Sequence, residues 1–199
     1  MNKIQVLIYD GFDELDAVAP FEILAAAGCA VELATLDPCD VVRGAHGLVV
    51  SPRTTLDPVP DMVVIPGGGW ISRAPQGAWA EAQRGALPAA LAERHAAGTT
   101  MAGVCSGVML LAASGMLRGR PAVTHRGSID DLRAAGAEVW PDARVIDDGD
   151  VITAGGVTSA LDLALHLVER ELGPEAAAAE ARRIEYEGRG AVFGLAARA

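Results

Sequence analysis

Positive charge is scarce in this chain: 16 Lys and Arg stand against 26 Asp and Glu in 199 residues, a formal net charge of -10. Neutralising phosphates takes clustered Lys and Arg, so nucleic acid and anionic membrane are poor partners and a small, neutral or weakly polar molecule is expected. Aromatic residues make up only 4% of the sequence, which leaves the packing to Ala, Val, Leu and Ile. No apolar run reaches the roughly 18 residues that a membrane-spanning helix needs. The apolar part of the opening "MNKIQVLIYDG" is too short for a secretory signal, so a cytoplasmic protein is expected. Cysteine is also sparse. Cys29, Cys39 and Cys105 are odd in number and follow neither CxxC nor Cys/His metal spacing, which points to free thiols and no metal site.

What is present is a regular alternation. Five short apolar segments end in Gly-rich turns or acidic residues: "IQVLIYDG" (4–11), "AVELATLD" (30–37), "DMVVIPGGG" (61–69), "TTMAGVCSG" (99–107) and "DVITAGG" (150–156). Runs of this kind, apolar on both faces, form buried parallel strands. Helical patterns fall between them at 15–28, 79–98, 106–117 and 127–136, and "RGAHGLVVSP" (43–52) reads as a small hairpin or edge strand. The most periodic helix follows "AGG", with Val157, Ala160, Leu161, Ala164, Leu165 and Val168 on one face and Asp162, His166 and Glu169 on another. Gly173 and Pro174 end it and start a last Ala-rich helix. The pattern predicts an α/β fold, a three-layer sandwich with a mostly parallel, flavodoxin-like sheet and helices on both faces. No linker or repeat interrupts it, so residues 1–199 are expected to form a single domain.

In such a sheet, ligands bind where the carboxyl ends of strands meet helix amino termini. "GVCSG" is a junction of that kind. Gly103 allows the sharp turn, Gly107 allows the first helical turn to pack against the sheet, and the layout is that of the GxSxG nucleophile turn with sulfur in place of hydroxyl. The helix dipole is expected to lower the thiol pKa and make Cys105 reactive, whereas Cys29 and Cys39 lack the glycines and read as packing residues. The glycines of "IPGGGW" leave backbone N–H groups uncovered and suit an anion nest or oxyanion hole. In "DGFDELDAVAP", Pro20 requires the helix to begin shortly before it. Asp13 and Glu14 then read as capping carboxylates, and Asp16, with Leu15 and Ala17 on either side, as a partly buried acid or base. His125 can enter the same cleft, as a base or as a loop-holding group; His46, His95 and His166 have ordinary structural readings.

Taken together, "ELDAVAPFEIL", "IPGGG", "GVCSGVMLLAASGML", "AVTHRG" and "ITAGGVTSALDLALHLVER" resemble the ThiJ/PfpI superfamily, whose fold is also that of class I glutamine amidotransferases. Within it the chain is most similar to the isocyanide hydratases and to the ligand-binding domains of AraC-type regulators. The resemblance implies Cys105 as nucleophile, Asp16 as the carboxylate beside the sulfur, and Ser106 as a hydrogen-bonding neighbour. Gly68 and Gly69 receive developing negative charge in this picture, with His125 beside the substrate. It also implies a homodimer and no cofactor.

Departures from the family pattern narrow the choice. Ser106 stands where the peptidase-like members have His, and Asp16 where members linked to glyoxalase or deglycase activity carry Glu. After "EY", the Pro-rich stretch of the hydratase-like members is replaced by "EGRGAVFG". The expected activity is hydration of an isocyanide to an N-substituted formamide. The alternatives are a non-catalytic redox or ligand sensor, and an enzyme acting on 2-oxoaldehydes. A regulator would carry a DNA-binding helix-turn-helix, for which 199 residues are expected to leave no room.

Overall fold

The architecture is that of a computed structural model, which describes residues 3–188, 190 and 192–194. The parts of the sequence read as far as residue 199 that fall on the remaining positions lie outside the described residues. The main sheet has eight strands: β1 (Lys3–Leu7), β2 (Ala30–Thr35), β3 (Thr54–Thr55), β4 (Met62–Ile65), β5 (Thr100–Val104), β6 (Val145–Asp147), β7 (Val151–Ala154) and β8 (Val192–Gly194). They lie in the order β8-β6-β7-β5-β4-β1-β2-β3, and every adjacent pair is parallel except β6 with β7. The central strands β1, β4, β5 and β7 are the ones with near-continuous apolar sequence, because their side chains are buried on both faces.

Seven helices flank the sheet among the described residues: α1 (Glu14–Ala26), α2 (Ala78–Arg84), α3 (Ala86–Ala96), α4 (Val108–Ala113), α5 (Ile129–Ala134), α6 (Ser159–Leu172) and α7 (Pro174–Arg183). Helices α1, α6 and α7 pack together as one layer, and α2, α3, α4 and α5 as the other. The core between them is aliphatic, with Ile4, Leu7, Ile23, Leu24, Ile65, Leu91, Met101 and Leu110 almost fully removed from water. The α/β sandwich expected from the sequence is the fold observed. The segment at 43–52 forms the short antiparallel pair Val42–Arg43 with Val49–Val50.

Several local expectations change. The helix expected over 79–98 is two helices, because Gly85 takes a left-handed φ of 78° that ends α2 and starts α3. The helix expected over 106–117 is a 3₁₀ turn (Cys105–Gly107) followed by only six α-helical residues, since Ser114 and Gly115 favour a turn. Pro20 lies inside α1, where it withholds an N–H from the carbonyl of Asp16. On α6 the buried face runs through Ala160, Leu163, Ala164, Leu167 and Val168, and it also takes in Asp162. That carboxylate is buried because the Arg144 guanidinium donates to it at 2.8 Å and the Tyr186 hydroxyl at 3.1 Å. Cys29 packs partly against the core, but Cys39 is exposed and has no packing role.

The chain order reverses direction across the sheet between β1 and β4: β2 and β3 lie on one side of β1, while β4, β5 and β7 follow on the other. The crevice at such a reversal is where an open α/β sheet binds ligands. The carboxyl ends of β1, β4 and β5 converge there, and they carry Asp16, the "GGG" turn and Cys105.

Candidate active site

Cys105 closes β5 and opens the 3₁₀ turn with φ of 53°, a left-handed conformation that a non-glycine residue holds at a cost of about 1–3 kcal/mol. Its neighbours enforce it. The Cys105 N–H donates to the Gly155 carbonyl at 2.8 Å, and its own carbonyl accepts from Thr124 Oγ1 at 2.7 Å. Gly107 has to be glycine, because a Cβ there would lie 2.2 Å from the Ile65 carbonyl oxygen. The thiol therefore points from a rigid elbow into the end of the sheet, where it is almost fully buried.

Asp16, in the first turn of α1, is fully buried. Its Oδ2 accepts from the Gly67 N–H at 2.9 Å, while Oδ1 finds no full hydrogen bond. The Cys105 thiol is the polar side chain beside this carboxyl, and it favours the carboxylate form. Burial, with the nearby charge of Asp13, pushes the Asp16 pKa up to about 8. The thiol, expected from its junction to be acidic, is instead pushed up to about 12 by burial and by the Asp16 charge. Hydrogen bonds from the backbone N–H groups of Val157 and Ser106 offset this only in part. The short 3₁₀ start offers too little dipole to compensate for the loss of water. Burial accordingly favours the protonated form of both groups.

The "GGG" turn is divided in its duties. Gly67 donates to Asp16, and Gly68 donates to Ser106 Oγ at 2.9 Å, so both amides are already used. Gly69 N–H has no acceptor among the described residues and is the donor left for a ligand. His125 Nδ1 accepts from Gly127 N–H at 3.0 Å, which caps the following turn and places the ring proton on Nε2. It makes no hydrogen bond to Cys105, so a Cys–His base pair is not formed. The other histidines are paired with carboxylates away from this cleft: His46 with Glu14, His95 with Asp150 and His166 with Asp147.

Sequence reasoning missed three groups. Tyr9, buried at the end of β1, donates its hydroxyl to the Pro66 carbonyl and so fixes the start of the glycine turn. Thr124 holds the Cys105 carbonyl, and Val157, at φ of 29°, presents its N–H to the sulfur. Tyr9 carried a signal, being a hydroxyl at the end of an otherwise apolar strand. The other two act through contacts that no local pattern encodes.

Above the thiol lies a cavity of about 290 Å³ lined by Asp13, the backbone of Gly68 and Gly69, Trp70, Ile71, Ser72, Cys105, Ser106, His125 and Val157. It has no Lys or Arg in its wall. Asp16 is not among its lining residues and lies buried beside the sulfur. Among the described residues no group of three or more His, Cys, Asp or Glu is arranged to hold a metal ion, and no helix is long and apolar enough to cross a membrane.

A cysteine at a strained strand-to-helix elbow, with a buried carboxyl on its core side and a glycine turn across from it, defines a class of α/β cysteine protein. The chain belongs to the DJ-1/PfpI family, whose pattern it matches over residues 2–170. It is 30% identical to the isonitrile hydratase of Pseudomonas putida over 187 residues, covering 92% of this chain and 78% of that one. It is 29% identical to the Parkinson disease protein 7 homolog of Danio rerio over 182 residues, 89% and 93% of the two chains. It is 30% identical to a deglycase of Thermococcus kodakarensis over 156 residues, 76% and 89%. Among solved structures, a mutant of a DJ-1 superfamily protein from Salmonella typhimurium superposes with a TM-score of 0.80 at 30% identity, covering 94% of this chain and all of that one. The family contains enzymes with several substrates, at equal distance from this chain.

Proposed function

We propose that the chain is a cofactor-free, cysteine-dependent hydratase that converts an isocyanide, R–NC, to the N-substituted formamide. The observation that carries this reading is the buried Asp16 carboxyl beside the buried Cys105 thiol, both favoured in their neutral forms by burial, with the thiol opening on a cavity that has no Lys or Arg in its wall. Adding a thiol to an isocyanide creates no net charge. Cys105 Sγ bonds to the terminal carbon, that carbon takes a proton from Asp16, and the carboxyl recovers the thiol proton, leaving the thioimidate Cys–S–CH=N–R. Water then adds to this carbon, its proton passing through Asp16 to nitrogen, and the carbon–sulfur bond breaks to release R–NH–CHO and the thiol. Gly69 N–H and His125 Nε2–H are the donors available to substrate, while Ser106 and Gly68 keep each other in place. The similarity to an isonitrile hydratase supports the reading. We infer that the protein acts in the cytoplasm, as a homodimer, on a small neutral molecule.

The test is turnover of the purified protein on a panel of isocyanides and 2-oxoaldehydes, with formamide detected by mass spectrometry. Formamide production that vanishes in Cys105→Ala and drops at least about a hundredfold in Asp16→Asn is the expected result, with a much smaller loss in His125→Ala. Turnover of 2-oxoaldehydes alone would replace the hydratase by a dicarbonyl-processing enzyme. Absence of any turnover, with a change in melting temperature or assembly after peroxide, would replace it by a sensor.

A further inference from the structure

Ile71 is a large apolar side chain that is 59% exposed, yet it lines the cavity above Cys105. Exposure of that extent gains little from the hydrophobic effect, so core packing does not account for it. Its position is nevertheless built. The Ile71 Cδ1 rests against Gly127, where a Cβ would lie only 2.6 Å away, so this side chain spans from the glycine turn after β4 to the turn before α5.

Trp70 and Arg73, which bracket Ile71 and Ser72, are clamped to α5. The Trp70 indole N–H donates to Asp131 Oδ2 at 2.7 Å, and the Arg73 guanidinium donates to the same oxygen at 2.9 Å. Arg73 also stacks 3.9 Å from the centre of the Trp79 ring, and Trp79 meets Trp70 edge-on at 5.1 Å. A loop held at both Trp70 and Arg73 has little freedom to carry Ile71 aside, and β-branching stiffens the side chain itself.

We propose that Ile71 is a specificity-determining residue of the cavity, a fixed wall that limits the size of the group R. The reading of the cavity as an isocyanide site supplies the identity of the reacting group, and this proposal rests on it for that. The size limit itself concerns any electrophile that approaches Cys105.

That separation makes the test independent of turnover. Alkylation of Cys105 by iodoacetamide and by its bulkier N-phenyl analogue, iodoacetanilide, is followed by mass spectrometry of the Cys105 peptide, with the exposed Cys39 as internal control. In each case sulfur displaces iodide from carbon and the thiol proton goes to buffer. The rate ratio of small to bulky reagent at Cys105 is expected to fall at least about fivefold in Ile71→Ala and to rise by a similar factor in Ile71→Trp, while the ratio at Cys39 stays fixed. The kcat/KM ratio for methyl against cyclohexyl isocyanide moves the same way if the hydratase reading holds. A shifted alkylation ratio without isocyanide turnover keeps the size limit and removes the hydratase. An unchanged Cys105 ratio across the three proteins, or equal acceleration of both reagents in Ile71→Ala, overturns the proposal.

Discussion

At the scale of single residues, the chemistry rests on one carboxyl and one thiol that share a dry site. Burial opposes ionisation of both, the charge of Asp13 adds to this at Asp16, and the charge of Asp16 adds to it at Cys105, so each holds its proton to a higher pH than its exposed counterpart would. The carboxyl is the first to yield, near pH 8. If Asp16 must donate a proton to the substrate carbon, hydratase turnover is high while the acid form persists and declines as pH rises through about 8. A profile of kcat/KM between pH 6 and 10 measures this. A rate that climbs steadily through that range would mean that free thiolate limits the reaction and that Asp16 is not the acid.

At the scale of elements, the elbow after β5 works because three backbones approach more closely than side chains permit. At Gly107 an added Cβ meets the Ile65 and Pro66 carbonyl oxygens at 2.2 and 2.5 Å, and neither can move without disturbing β4. Gly107 has an ordinary helical φ of -62°, whereas Gly85, between α2 and α3, has a left-handed φ of 78° but open space around it. Gly107→Ala is therefore expected to lower the melting temperature by about 5–10 °C, as overpacking by a few kcal/mol does in a chain of this size, and Gly85→Ala by only a few degrees. Thermal unfolding of the two variants decides whether close approach or φ alone matters more. These elements also show what the sequence discloses. The buried strands β1, β4, β5 and β7 were legible because continuous apolar runs ending in glycine have few other uses, and the "GVCSG" elbow was legible for the same reason. Strands β6 and β8 were not, since Val145–Asp147 and Val192–Gly194 are three residues each and exist through pairing with distant partners. The division of labour among Gly67, Gly68 and Gly69 was equally hidden, because it depends on which amide faces Asp16 or Ser106 in three dimensions. The raised thiol pKa was hidden too, since burial outweighs the local dipole and burial is a property of the fold.

At the scale of the whole molecule, ionisable groups pull stability in opposite directions with pH. Asp150 is held down to about 2, chiefly by its bond from Arg120, and Asp147 and Asp131 are held below the usual carboxylate range by His166 and Arg170 and by Trp70 and Arg73 respectively. Groups of that kind contribute stability above their unfolded pKa near 4 and lose it as pH falls toward their folded values. Asp16 acts the other way. Its folded pKa, about 8, lies above the unfolded value of 3.8, so the folded state binds a proton that the unfolded state has already lost between those limits. Its contribution is fully present below pH 4 and is lost as pH rises toward 8, a penalty on the order of 5 kcal/mol for a group with no exposure to water. The protein is thus expected to be most stable in mildly acidic solution and less stable on both sides. Asp16→Asn cannot ionise, yet it can still accept from Gly67 N–H through its amide oxygen. The variant should match the parent or melt slightly below it near pH 4, and melt about 10–20 °C above it near pH 8 while lacking hydratase turnover. Melting curves of the two proteins from pH 4 to 9 test the point. A difference that stays constant across that range would show that Asp16 does not change protonation on unfolding, and the account of Asp16 as a buried, protonated acid would fall with it.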